Sequence, residues 1–126
     1  MPAPEALARF IARVEQNAHA EAIEEFYAPH ASMRENQAAP RFGRDLLIAG
    51  KRRTLALARS VASTCVRPVF VSTDHVVIGW IFHFEWLDGT VTGTEQPAYQ
   101  RWEGDRIADE QFFYDPAERV PRNPAT

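Results

Sequence analysis

Apolar and polar positions follow two different periods along this chain, a helical one before residue 60 and an alternating one after it. Amphipathic helices carry apolar residues three or four positions apart, as Leu7, Phe10, Ile11 and Val14 do. The first half therefore predicts three helices and one short strand. They are a helix over residues 4–16, a short helix capped by Asn17 and ended by Pro29, a strand over 31–37, and a helix from about 44 to 59.

The alternating half predicts four strands, over residues 61–71, 76–87, 90–102 and 106–114. Asp88-Gly89 is typical of a tight hairpin, and short connections imply antiparallel neighbours. Pro68 and Pro97 fall inside predicted strands, where a missing N–H predicts bulges or sharp curvature. The order of elements predicts an α+β fold. Three N-terminal helices would cover the concave face of a curved, mostly antiparallel sheet and leave a cone with an open mouth.

One predicted strand alternates aromatic and polar side chains: Trp80, Phe82, Phe84 and Trp86 with His83 and Glu85 between them. Alternate residues of a strand face opposite sides of the sheet. An exposed aromatic row would form a large apolar patch, so we expect the aromatics to line the interior and His83 to lie outside. In the reverse register, His83 and Glu85 would form an acid/base pair in the cone.

Composition and charge narrow the classes of function. The chain has 126 residues, a net charge of −3 and one cysteine, which suits one domain over residues 1–126, with 117–126 as a loose tail. We expect no nucleic-acid or membrane partner, because no basic excess or long apolar stretch is present. One cysteine favours a cytoplasmic location. No histidine spacing indicates a metal site. The basic run Lys51–Arg53 reads as a solvated helix face, with phosphate binding as the less favoured alternative.

Three stretches resemble the NTF2-like superfamily, of the SnoaL-like and ketosteroid-isomerase-like kind: Phe26–Ser32, Gly43–Asp45, and Trp102–Ile107 followed by Phe113–Pro116. The resemblance implies a conical fold with a small-molecule pocket. It places Glu35 where ketosteroid isomerases hold their proton-shuttling carboxylate, and it puts Glu110, Phe112 and Tyr114 on the pocket side of the last strand. The isomerases' two oxyanion donors correspond to Ile11 and to a position near Ala98, so steroid-type isomerisation lacks its oxyanion hole.

Two functions stay open from the sequence. In the first, a cofactor-independent isomerase, cyclase or dehydratase moves a proton on a small apolar ligand with Glu35 and Glu110 as acid and base. Glu35 shares one face of its predicted strand with Met33, so we expect it to be partly desolvated, which would raise its pKa. In the second, the same pocket only binds a ligand or supports dimerisation, and the carboxylates pair with Arg34 or Arg101. The candidate ligand-binding residues are Trp80, Phe82, Phe84, Gln100, Trp102, Phe112 and Tyr114. We also expect a homodimer built on the outer face of the sheet, which carries Val77, Ile81 and Leu87.

Overall fold

The computed structural model describes residues 1–124, and these residues form three helices and one six-stranded sheet. The helices are α1 (Pro4–Glu15), α2 (His19–Phe26) and α3 (Arg44–Ala56). The strands are β1 (Tyr27–Glu35), β2 (Arg41–Phe42), β3 (Ala58–Ser72), β4 (His75–Trp86), β5 (Val91–Glu103) and β6 (Arg106–Phe112). Within this part of the chain, no helix combines the length and apolar character needed to cross a membrane.

The strands are ordered β2-β1-β6-β5-β4-β3 in the sheet. Only the β1–β6 pair is parallel among the described strands, and the other four pairs are antiparallel. This arrangement confirms the predicted α+β class and the curved, mostly antiparallel sheet. It differs from prediction at β1, which begins at Tyr27 because Tyr27 already pairs with Ile107. The predicted loop over residues 38–43 also contains β2, which pairs with the end of β1.

The helices bury their apolar stripes on the concave face of the sheet. Phe10 of α1 meets Phe26 and Trp102 edge-on, with ring centroids 5.6 and 5.9 Å away. Such aromatic packing fixes α1 and α2 over β5. The prediction that Asn17 caps the second helix was wrong. Asn17 has a φ of 65° and follows the end of α1, and no side chain caps the first turn of α2.

The chain after β6 returns to the sheet. Pro116–Arg119 forms a 3-10 turn, and the Arg119 guanidinium lies 4.3 Å from the centroid of the Tyr114 ring. Arg122 and Val91 then exchange two backbone hydrogen bonds of 2.9 and 3.0 Å. The predicted loose tail over 117–126 is therefore fastened to β5 as far as residue 122. Residues 125 and 126 lie outside the described part of the chain.

Candidate functional site

A cavity of about 410 Å³ opens between the helices and the concave face of the sheet. Its walls come from all three helices and from β1, β4, β5 and β6. Apolar side chains dominate the α1 and α2 side, where Phe10, Val14 and Ile23 are buried. A cavity of this size suits a small organic ligand.

One wall of the cavity is the aromatic row of β4. Trp80, Phe82, Phe84 and Trp86 all line it, which confirms the predicted inward register. Trp80 stacks on Phe82 and Phe84 stacks on Trp86, with centroids 5.5 and 4.8 Å apart and rings tilted by 15° and 5°. His83 and Glu85 are exposed on the outer face. The reverse register, with an acid/base pair of His83 and Glu85 inside the cone, is therefore wrong.

A buried hydrogen-bonded chain reaches the cavity at Glu110. The Trp102 indole Nε1 donates to Gln100 Oε1 at 2.9 Å, and Gln100 Nε2 donates to Glu110 Oε2 at 2.6 Å. The other carboxyl oxygen of Glu110, Oε1, is hydrogen-bonded to the Tyr27 hydroxyl. Glu110 is 2% exposed, and Tyr27 also lines the cavity. Every polar group of this chain thus has a partner.

The direction of this chain follows from its donors and acceptors. An indole nitrogen can only donate, so Trp102 requires Gln100 to present its carbonyl oxygen. The Gln100 amide then has only donors left for Glu110, so Glu110 Oε2 accepts from Gln100 and Oε1 accepts from the Tyr27 hydroxyl. A proton added at Oε1 would reverse the second hydrogen bond, so that Glu110 donates to Tyr27 and the Tyr27 hydroxyl can donate into the cavity.

Burial favours this protonated state. It raises the pKa of Glu110, and the hydrogen bonds from Tyr27 and Gln100 and the charge of Lys51 only partly oppose it. Burial also raises the pKa of Tyr27, and the neighbouring carboxyl group adds to that effect. The raised pKa keeps the carboxylic proton on Glu110 to higher pH than on a solvated glutamate. The pair can therefore offer a proton to a ligand.

Glu35 occupies a different environment from the one predicted. Its two carboxylate oxygens accept hydrogen bonds of 2.7 and 3.0 Å from the Arg41 guanidinium. Partial burial acts to raise the pKa of Glu35, but the Arg41 hydrogen bonds and the charges of Arg41, Arg119 and Lys51 outweigh it and hold the pKa below its ordinary value. The expected raised pKa was wrong. Glu35 lines the cavity as half of an ion pair and is unsuited to act as a base near neutral pH.

The remaining predicted site residues differ in whether they line the cavity. Phe112 is buried and lines the cavity, as predicted. Gln100 and Trp102 are fully buried behind the cavity wall, so they act on Glu110 and do not line the cavity. Tyr114 is half-buried and lies under Arg119, which itself lines the opening.

Several cavity residues were not assigned to a site from the sequence, among them His19, Tyr27 and Lys51. His19 is bonded through Nε2 to Ser63 Oγ at 2.7 Å, and burial together with the charge of Lys51 lowers its pKa to about 4. Tyr27 fell within the predicted second helix and the Phe26–Ser32 stretch, without a role in a site. Lys51 was predicted to be solvated, but its half-buried side chain lines the cavity. Neighbouring Arg52 does remain exposed, with a carboxylate oxygen of Glu24 at 3.8 Å.

No metal site was identified at the cavity. Within residues 1–124, no three histidine, cysteine, aspartate or glutamate side chains are grouped as metal ligands would be. The single cysteine, Cys65, is free and buried.

Comparison with known proteins identifies the fold. No protein-family model matches the chain, and no curated protein matches its sequence. Solved structures do match. A hypothetical protein with a ketosteroid isomerase-like fold from Catenulispora acidiphila DSM 44928, in complex with trimethylamine, is 20% identical with a TM-score of 0.76, over 91% of this chain and 88% of that one.

Two further structures agree with it. An NTF2-like protein of unknown function from Burkholderia pseudomallei K96243 is 13% identical, with a TM-score of 0.77 over 92% of each chain. A protein assigned to the SnoaL-like polyketide cyclases, from Jannaschia sp. CCS1, is 12% identical, with a TM-score of 0.74 over 91% of this chain and 90% of that one. The fold of this chain is therefore NTF2-like. Likeness at these identities shows the fold and leaves function to be argued from the site.

Proposed function

We propose that this protein is a cofactor-independent enzyme that moves a proton on a small, apolar carbonyl compound held in the cavity. The observation that carries this proposal is the buried Glu110–Tyr27 pair, oriented by Gln100 and opening into a cavity that has the aromatic row of β4 as one wall. Isomerisation, cyclisation and dehydration all need such a step. A protein of the same fold is assigned to the polyketide cyclases, which agrees with a reaction at a carbonyl group.

The geometry supports a specific sequence of events. The flat stacked rings of β4 favour a planar, conjugated ligand body. The ligand's carbonyl oxygen accepts the hydrogen bond from Tyr27, and charge develops on that oxygen as solvent water takes the proton of an adjacent C–H bond. Tyr27 passes its proton to the oxygen, and the Glu110 proton replaces it on the phenol. Gln100 continues to donate to Glu110, which stabilises the carboxylate that results.

The first prediction tests this role with an exchange reaction that needs no knowledge of the natural substrate. 1-Tetralone is small enough for the cavity and exchanges its α-hydrogens through an enol. We expect the protein to accelerate deuterium incorporation from D2O, followed by NMR, and Glu110→Gln to lower the accelerated rate by roughly a hundredfold or more. Glutamine can hydrogen-bond to Tyr27 and Gln100 but has no acidic proton.

Glu35→Gln is the matched control, because it changes the other cavity carboxyl group. We expect it to leave the exchange rate within a few-fold of the unsubstituted protein. If Glu110→Gln exchanges 1-tetralone as fast as the unsubstituted protein while both bind it, Glu110 is not the proton donor. The enzymatic proposal would then fail.

The alternative is a non-catalytic ligand-binding module with the same cavity. The ion pair between Glu35 and Arg41 favours this alternative. Because Glu35 is bonded to a cation, Glu110 is the one carboxyl group lining the cavity, among the described residues, that stays available as an acid or a base. A binder would take up 1-tetralone, seen as quenching of the cavity tryptophans, without accelerating its exchange.

We further propose that two copies associate through the outer face of the sheet, as expected from the sequence. Ile81 and Leu87 are exposed and Val77 is half-buried on β4 or at its end. A cytoplasmic location also stays a prediction, resting on the single cysteine.

A further inference from the structure

The chain contains one lysine, Lys51, and the structure directs it into the cavity. Thirteen of its fourteen basic Lys and Arg residues are therefore arginines. A lysine on a solvated helix face is exchangeable with arginine, but an amine in a cavity is not, because only the amine can lose its proton and become a nucleophile. The position of Lys51 therefore makes it a candidate nucleophile.

The surroundings of Lys51 make its charged form less favourable than it would be in water. The ion pairs within residues 1–124 do not include it. Burial lowers its pKa, the charges of Glu110 and Glu35 oppose that effect, and those of Arg119 and Arg41 add to it. Lys51 and Glu110 form no contact ion pair within the described residues, so neither charge is directly neutralised by the other. The lowered pKa gives the amine a larger neutral, nucleophilic fraction than a solvated lysine has.

The residues needed for reaction of an amine with a carbonyl share this cavity. Lys51 supplies the nitrogen, and the Glu110–Tyr27 pair supplies a proton. We propose that Lys51 is a nucleophile that forms an imine with a ketone or aldehyde bound in the cavity. This inference deepens the proposed function by specifying the ligand as an unhindered carbonyl compound, and it rests on that function for the ligand's binding mode.

The step balances without any oxidant or reductant. The Lys51 nitrogen lone pair attacks the carbonyl carbon, and Tyr27 protonates the carbonyl oxygen to give a carbinolamine. The nitrogen returns a proton to the acid pair, the hydroxyl group then accepts one from that pair, and the C–O bond breaks with release of water. The C=N bond forms as the C–O bond breaks. The resulting imine can act as an electron sink when a neighbouring C–H or C–C bond is broken.

Benzoylacetone provides a direct test, because its imine rearranges to a conjugated enaminone that absorbs in the near ultraviolet and resists hydrolysis. The chain has only two amines, Lys51 and the α-amine of Met1. We expect one adduct at neutral pH, with the mass of benzoylacetone less one water, at Lys51. It should form at least tenfold faster than any adduct on Met1, as measured by intact mass and peptide mapping.

Two variants make the result decisive. Lys51→Met removes the amine, Lys51→Arg keeps a cation without a nucleophile, and both should lose the adduct. Absence of an adduct on Lys51, or one that forms no faster than on Met1, overturns the imine proposal. Quenching of the cavity tryptophans on the same samples separates the two proposals. Binding without an adduct would refute the imine proposal alone. An unchanged rate of 1-tetralone exchange in Glu110→Gln would refute the proposed function.

Discussion

At the scale of single residues, the sequence identified both cavity carboxyl groups but not the environment of Glu35. Glu35 was expected to be poorly solvated, and Arg34 was considered as its partner. Its actual partner is Arg41, which pairs across the β1–β2 ladder with Met33. Residues 33 and 35 share one face of β1, so Arg41 is the diagonal neighbour of Glu35. The short strand that brings it there was predicted as a loop, and the ion pair could not be foreseen without it.

The contrast between the two carboxyl groups leads to opposite pH dependences of stability. The ordinary pKa of a glutamate is 4.5. At pH values above it, the folded protein keeps a proton on Glu110 that the unfolded chain has already released. The unsubstituted protein should therefore lose stability as pH rises from about 4.5 towards its folded pKa. Glu110→Gln should not show this loss. Urea unfolding at about pH 5 and about pH 7.5 measures both free energies of unfolding.

Glu35 behaves in the opposite sense, because its folded pKa lies below 4.5. Its contribution is present above the ordinary pKa and is lost as pH falls through the folded pKa. Glu35→Gln should therefore be less stable at neutral pH by about 1 kcal/mol, since the pair is partly exposed. That difference should shrink under acid. For each variant, the measured quantity is its difference in free energy of unfolding from the unsubstituted protein. If these two differences changed in the same direction with pH, the opposite pKa shifts assigned to Glu110 and Glu35 would be wrong.

At the scale of elements, strand β4 was the best predicted part of the molecule. Its register follows from period two alone, because reversing it would expose four aromatic rings. The two prolines behaved differently from each other. Pro68 lies in the irregular pairing between Val66 and Phe70, as expected. Pro97 causes no shift, since β6 ends beside it at Phe112 and its missing N–H interrupts no pairing there.

The register of β4 can be tested by a pair of substitutions at neighbouring positions. Phe82 is 8% exposed, stacks on Trp80 and meets the His19 ring edge-on at 5.2 Å. We expect Phe82→Ala to lower the free energy of unfolding by about 2–3 kcal/mol, below the usual cost because one side of the ring already borders the cavity. His83→Ala on the outer face should cost less than about 0.5 kcal/mol. Equal losses in urea unfolding would mean that this face is not the packed one.

At the scale of the whole molecule, the order of elements was enough to predict the cone but not what lies inside it. Helices followed by an antiparallel sheet leave few alternative architectures. The cavity chemistry depends on long side chains that enter from α3 and the C-terminal turn. Lys51 and Arg119 reach the cavity because their stems cover apolar surface while their ends remain polar. No period in the sequence distinguishes such side chains from solvated ones.

The outer face of the sheet leads to the last prediction, which concerns assembly. Phe70, Ile81 and Tyr99 are 62%, 39% and 47% exposed on neighbouring strands β3, β4 and β5. Side chains at facing positions of paired strands form one surface, and Phe70 pairs with Val77, which pairs with Tyr99. A continuous apolar surface of this kind is typical of an interface between copies. We therefore expect light scattering at micromolar concentration to give twice the 14.3 kDa mass of the chain.

Substitution within this surface should separate the copies without unfolding them. The double variant Phe70→Asp and Ile81→Asp places a carboxylate on each of two paired strands, where burial against a second copy would desolvate both charges. It should scatter as a monomer with unchanged far-ultraviolet circular dichroism. Leu46→Asp is the control, because Leu46 is also exposed, at 53%, but lies on α3, which packs on the concave face of the sheet. Monomeric mass for the unsubstituted protein, or dissociation by the control alone, would place any interface elsewhere.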